Sequence, residues 1–338
     1  MSTSTIEAPR APIVAVSLPA GAAARLLIGG LTASVAWFAF AAVIGLWPDK
    51  PDSDWPYSGQ LVAISGAFAA AIGILAIVGL WLRPLQRVSH FAPWLTLIAA
   101  FLGAWEIVTA KLGLLPMPFF PPPQSLLEVL IDDWARLGES ILASFRLLAG
   151  GYVIGAAAGF ALGVSVGWSR AIGYWIHPIL RFIGPLPATA WLPLAFFVFP
   201  SSWSASTFLI ALATGFPVTV LTWSGVASVN SAYYDIARTL GASQRFLVLK
   251  VAIPAAMPYV FVGLFMGLGN SFAVLVVAEM LGVKAGLGWY LQWAQGWAAY
   301  ANMYAALLIM ALACSGLITL LFKLRDRLLS WQKGLVRW

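Results

Sequence analysis

Two histidines, His90 and His177, and a single cysteine, Cys314, are all this chain offers for metal or thiol chemistry. One cysteine makes no disulfide within the chain and no zinc-ribbon site. Two histidines are too few for a His-based metal centre. Acids are scarce as well, 12 Asp and Glu in 338 residues. No Gly-x-x-x-x-Gly-Lys-Ser/Thr phosphate loop, His-Glu-x-x-His or Gly-x-Ser-x-Gly occurs. No catalytic constellation presents itself, and no Walker-type ATP site. What remains is three ionisable residues at or near apolar stretches: Glu106, Arg146 and Glu279. A charge at membrane depth is costly unless paired or hydrated, so such groups face the protein interior. One reading makes them an outer gate or substrate path. The plainer reading, which carries more weight, is a structural Glu106–Arg146 pair joining two helices.

The elements that carry these residues follow from hydropathy. Hydrophobic residues make up 61% of the chain and charged ones 9%, against about 25% charged in a soluble domain. Uncharged runs extend over 147–169, 182–234, 251–278 and 285–322. A helix crosses a bilayer with about 20 apolar residues, whereas a barrel would show alternating segments of about 10. The chain therefore reads as all-α, a polytopic membrane helix bundle. Eight spans are expected, near 26–47, 60–82, 91–111, 141–168, 174–199, 205–227, 256–279 and 300–322. The fifth carries Pro178, Pro185, Pro187 and Pro193 and must be broken.

Within the fourth span Gly151, Gly155, Gly159, Gly163 and Gly167 recur every four residues, on one side of a helix. They form a groove for another helix backbone, as static close packing or as a sliding contact. Gly263 and Gly267 repeat the pattern in the seventh span. Trp289, Trp293 and Trp297 would line one side of a helix and suit an aromatic belt; the other reading sets them at the mouth of a path. Trp191 and Trp203 also suit belt positions, and Trp191 joins Glu106, Arg146 and Glu279 as a candidate path residue. Trp37 lies mid-span and must pack against something.

Basic residues set the orientation. With both termini in the cytoplasm, inner segments hold Arg10, Arg25, Arg83, Arg87, Arg170, Arg238, Arg245, Lys250, Lys323, Arg325, Arg327, Lys333 and Arg337. Outer segments hold only Lys50, Lys111, Arg136 and Lys284, with Arg146 and Arg181 counted on neither side as membrane-embedded or boundary positions. The net charge of +7 thus reflects topology and gives no ground for nucleic-acid binding. Glu106, Arg146 and Glu279 all fall toward the outer leaflet. Residues 1–25 read as a cytoplasmic tail, without the basic start and apolar core of a cleaved signal. A proline tract at 115–123 separates an N-terminal part from a core, and 124–139 reads as an amphipathic surface helix.

The longest inner loop lies in 234–258. Residues 235–240 can form a short helix, Gly241 breaks it, and 243–251 can form a second that Pro254 ends. Arg238, Arg245 and Lys250 would keep one side wet, with Leu240, Phe246, Leu247 and Leu249 burying on the other. The plain reading is a surface loop on lipid headgroups. Yet Asp235-Ile236-Ala237, Gly241 and Val251-Ala252-Ile253-Pro254 stand at a telling spacing. The loop resembles the cytoplasmic coupling motif of binding-protein-dependent ABC importer permeases: Glu-Ala-Ala, three residues, Gly, nine residues, Ile-x-Leu-Pro. The 185–194 stretch PLPATAWLPL, Val277-Ala278-Glu279-Met280 and Ser144-Phe145-Arg146 are similar to the nitrate, sulfonate, taurine and bicarbonate branch.

The resemblance covers about 91–330 and implies a transport subunit rather than an enzyme. It implies a six-helix permease core there, with 26–90 as two extra N-terminal transmembrane helices. Loop 231–254 would receive the ATPase through Asp235, Ala237, Arg238, Gly241, Arg245, Val251, Ile253 and Pro254. Implied partners are a second copy in a homodimer, two cytoplasmic ABC ATPase subunits holding ATP and Mg, and a periplasmic binding protein, all at a bacterial inner membrane. No cofactor is expected on this chain. The expected solute is a small oxyanion (nitrate, a sulfonate such as taurine, or bicarbonate). The alternative is an uncharged or heterocyclic nutrient such as a pyrimidine vitamin precursor. An ion-coupled secondary transporter is the competing class; it would need ionisable groups or interrupted helices near midplane, and it leaves the loop unexplained.

Overall fold

The computed structural model describes residues 20–50, 55–78 and 91–332. Their regular structure is helical, with no strand among them. Among the described residues seven helical segments are long and apolar enough to cross a membrane. An eighth is counted if the broken fifth is taken as one span: Arg170–Ile183 and Ala188–Val198 meet at 87°. Gly184-Pro185-Leu186-Pro187 fills the break, where proline supplies no N–H to carry a helix on. The chain divides into two compact units, 1–128 and 129–338.

The first unit holds α1 (Ala20–Leu46), α2 (Ser58–Val78) and α3 (Ala92–Glu106), the last running on as a wide turn Ile107–Lys111. The tail expected over 1–25 lies outside the described residues as far as 19, and from Ala20 the chain is already helical. Arg10, Arg83, Arg87, His90, Lys333 and Arg337 lie outside them too. α1 packs against both α2 and α3. Ser34 Oγ donates to the Ala69 carbonyl at 2.8 Å. The mid-span Trp37 donates to the Leu95 carbonyl at 3.1 Å and meets Phe68 edge-on at 4.7 Å. Its N–H is thereby satisfied away from water, as a buried donor requires.

The amphipathic stretch expected over 124–139 is two elements. α4 (Pro123–Asp132) spans the division between the units, and α5 (Trp134–Trp168) starts directly after Asp133. α5 therefore begins well before the predicted span. Then follow α6 (Arg170–Ile183), a turn Ala188–Trp191, α7 (Leu192–Val198), α8 (Ser202–Ala227) and α9 (Ser231–Thr239). Turns at Gln244–Phe246 and Leu247–Ala252 lead into α10 (Ile253–Leu281), α11 (Leu287–Gly296) and α12 (Tyr300–Leu328).

α8 is the central helix of the second unit. All five glycines of α5 press on it: a Cβ at Gly159 would stand 2.6 Å from the Gly215 carbonyl oxygen, and one at Gly163 2.7 Å from that of Thr219. From another side, Cβ atoms at Gly263 and Gly267 of α10 would stand 3.0 Å from the Val218 Cα and 3.1 Å from the Thr214 carbonyl oxygen. Helices without side chains at the crossing approach backbone to backbone and gain dispersion contacts that lipid cannot supply. Leu147, Leu209, Ile210, Leu275 and Ala278 fill the core around these crossings. A reciprocal serine box, Ser201 and Ser204, starts α8.

Candidate functional site

The 231–254 loop is built by two short-range devices. Asn230 Oδ1 accepts from the Ala232 N–H at 2.9 Å and starts α9. The helix ends in a Schellman turn, with Gly241 N–H bonded to the Arg238 carbonyl at 2.9 Å and Ala242 N–H to that of Ala237 at 3.0 Å. That turn needs a left-handed residue, and Gly241 supplies φ +82°. Ser243 Oγ then accepts from the Phe246 N–H at 3.3 Å. Pro254 does not end a second helix, contrary to the sequence expectation. The wide turn Leu247–Ala252 runs straight into α10, and Pro254 sits in its first turn, where a missing N–H is tolerated.

Underneath, Tyr234 meets Trp168 of α5 edge-on at 5.6 Å, over buried Val226, Ala252 and Ala256. On the outside, Asp235 and Arg238 pair at 3.3 Å, a solvated contact of small worth. Arg245 and Lys250 are exposed, while Ala237, Val251, Ile253 and Pro254 are half-buried. Of the four apolar residues expected to bury, only Leu247 does; Leu240 is 83% exposed, and Phe246 and Leu249 are exposed with it. Apolar side chains left bare beside basic ones form an adhesive surface.

Some 24 residues back along α5, about 36 Å at helical rise, lies a buried polar clamp. Glu279 Oε2 accepts from Ser144 Oγ at 2.9 Å and from the Gly288 N–H at 2.8 Å. Ser144 Oγ in turn accepts from the Leu287 N–H at 2.8 Å. The carboxylate and the hydroxyl thus satisfy two free N–H groups at the start of α11, where negative charge is favoured. Gly286, at φ +109°, passes so close over the carboxylate that no Cβ fits. Arg146, two residues beyond Ser144, is exposed. Trp191 packs on the core beside α8 and α10.

The cation beside Glu106 is Lys111, not Arg146. Lys111 Nζ stands 3.6 Å from Glu106 Oε1, and Gln124 Nε2 donates to the same oxygen at 3.1 Å. Lys111 also donates to the Ile44 and Trp47 carbonyls at 3.1 and 2.7 Å and to Asp49 at 2.7 Å. It closes the end of α1 and its side chain is fully buried, so it is not the outer surface charge counted in the sequence. Another polar group escaped the sequence reading. Asn302 Nδ2 and Tyr290 Oη both donate to Asp133 Oδ2, at 3.1 and 2.8 Å. Burial pushes the pKa of the Tyr290 hydroxyl up to about 12. Trp289 and Trp293 pack against this cluster and only Trp297 is exposed, so the three tryptophans do not form one lipid-facing row.

Residues 140–331 match the family described as binding-protein-dependent transport system inner membrane component. The chain belongs to that family. It is similar to the nitrate import permease protein NrtB of Synechococcus elongatus, 28% identical over 74% of this chain and 91% of the relative. A probable ABC transporter permease protein of Brucella abortus is 31% identical over 70% of this chain and 93% of its own. The bicarbonate transport system permease protein CmpB of Synechococcus elongatus is 32% identical over 58% and 67%. This binding-protein-dependent permease is accordingly a multi-pass inner-membrane subunit of an ABC importer. The family region takes in the glycine-packed helices α5, α8 and α10, the 231–254 loop and the Glu279 clamp.

Proposed function

We propose that this permease carries a small oxyanion inward, driven by ATP hydrolysis in ATPase subunits that dock on loop 231–254. The carrying observation is the loop itself. A short helix, a left-handed glycine and a capped second turn hold Ile236, Leu240, Phe246 and Leu249 bare beside Arg238 and Arg245, as a docking surface for a soluble partner requires. The solute class rests on the relatives, two of which are named for nitrate and bicarbonate. On this reading two copies of the chain line the path. Two ATPases hold ATP and Mg, and a periplasmic binding protein delivers the anion. Both termini are cytoplasmic, and 26–90 is an addition to a transport core over 91–330. Glu279 serves that core by tying its helices together, while Glu106 and Lys111 brace the N-terminal helices.

The test is uptake. The permease, co-reconstituted with its ATPase and binding protein in liposomes, should accumulate labelled nitrate or bicarbonate only with internal ATP and external binding protein. Uptake that ignored ATP and followed an imposed Na⁺ or H⁺ gradient would overturn the proposal.

A further inference from the structure

We infer that the cavity between α6 and α8 is an anion-binding subsite within the membrane, with Arg181 as its charge and His177 as its second donor. The inference rests on the importer reading above and names a place where the solute is held during passage.

The cavity has a volume of about 280 Å³ and is lined by His177, Leu180 and Arg181 from α6 and Phe216, Val220 and Trp223 from α8. No carboxylate lines it. Among the described residues Arg181 enters no ion pair. His177 and Arg181 lie 7 and 11 residues beyond Arg170, the first residue of α6, within the broken pair Arg170–Ile183 and Ala188–Val198. In the single chain His177 is half-buried and Arg181 exposed. An unpaired guanidinium on a membrane-spanning segment faces a wet cavity or a ligand rather than lipid.

The walls are shaped rather than accidental. At one end the Phe216 ring fills the place of a side chain at Gly184, where a Cβ would stand 2.6 Å from the ring edge. The His177 ring meets Trp223 at a tilt of 56°, with centroids 4.2 Å apart. That contact holds the imidazole beside Arg181, one helical turn on. A neutral imidazole keeps one N–H to donate, and a protonated one has two. The guanidinium offers a planar fork that fits two oxygens of one oxyanion. The open side and the volume of the cavity leave room for a small oxyanion together with bound water. A simpler account is that Arg181, in the last turn of α6, only offsets the helix-end carbonyls. That account needs neither the cavity nor the contact of His177 with Trp223.

Two measurements on the assembled importer test the inference. First, Arg181→Gln should lower nitrate uptake at least tenfold while binding-protein-stimulated ATP hydrolysis persists, and Arg181→Lys should recover part of the loss. Second, Val220→Cys, on a Cys314→Ser background, should react faster with an anionic than with a cationic methanethiosulfonate reagent. Nitrate should slow that labelling. Wild-type uptake by Arg181→Gln, or labelling of the Val220→Cys protein that ignores reagent charge and nitrate, would each overturn the subsite. The labelling arm keeps Arg181 in place, so it decides even if Arg181→Gln fails to fold. If nitrate protects the introduced thiol but the wild type shows no ATP-driven uptake, the subsite stands and the importer reading falls.

Discussion

Gly241 carries the conformational demand of the coupling surface. At φ +82° a residue with a Cβ is strained by about 1–2 kcal/mol, although nothing lies within 4 Å to obstruct it. Gly241→Asp should therefore leave the bundle assembled while ATPase co-purification and uptake fall. Gly241→Asn, better tolerated in that region, should fall less. Wild-type uptake and ATPase retention in the Asp variant would remove 231–254 as the docking site. Lys111 offers the second test at this scale. Lys111→Ala strands the buried Glu106 carboxylate and should destabilise the protein by about 3–5 kcal/mol, read as a lower melting temperature in detergent. Adding Glu106→Gln should restore part of the loss, and strict additivity would exclude the pairing. Gly241 was legible because a turn glycine announces itself by spacing. The Glu106–Lys111 pair was not, since five residues along an α-helix place two side chains about 140° apart. The wide turn Ile107–Lys111 brings the lysine back round.

At the scale of elements, the α5–α8 crossing is the most constrained contact. Gly159→Ala should force the Gly215 backbone away and cost about 1–3 kcal/mol. Gly138→Ala and Gly150→Ala on the same helix meet nothing within 4 Å and should be neutral or mildly stabilising. Equal melting temperatures for all three variants would show the crossing to be loose. The glycine period made this contact readable, because a spacing of four can only mark one helix side. The end of the loop was not readable in the same way. Proline usually stops a helix, but at Pro254 it begins one, and only the widened turn before it reveals which. The break in the fifth span was visible in its prolines, whereas its 87° angle was not, since prolines interrupt a helix without fixing the direction in which it resumes.

For the molecule as a whole, topology is the first check. On a Cys314→Ser background, a cysteine at the exposed Lys284 should react with impermeant reagents from outside. One at the exposed Gln244 should react only from inside, less so with ATPase bound. Outside labelling at 244 would invert the orientation and void the docking surface. Hydropathy made the count of spans legible, but not their grouping: the third span packs with the first, through the bond from Trp37 to the Leu95 carbonyl. From Gln244 to Leu281 the second unit runs as a single helical rod of 38 residues, about 55 Å long. The loop surface is at one end and the Glu279 latch near the other. Gly263, where the rod crosses α8, lies 19 residues from the first end and 18 from the second. Contact with α8 is not confined to that point: it runs from Ala256 and Tyr259, which meet Gly225, to Gly267, which meets Thr214. The rod is thus a strut braced along its side, and the loop surface and the clamp are the two ends of one continuously packed element.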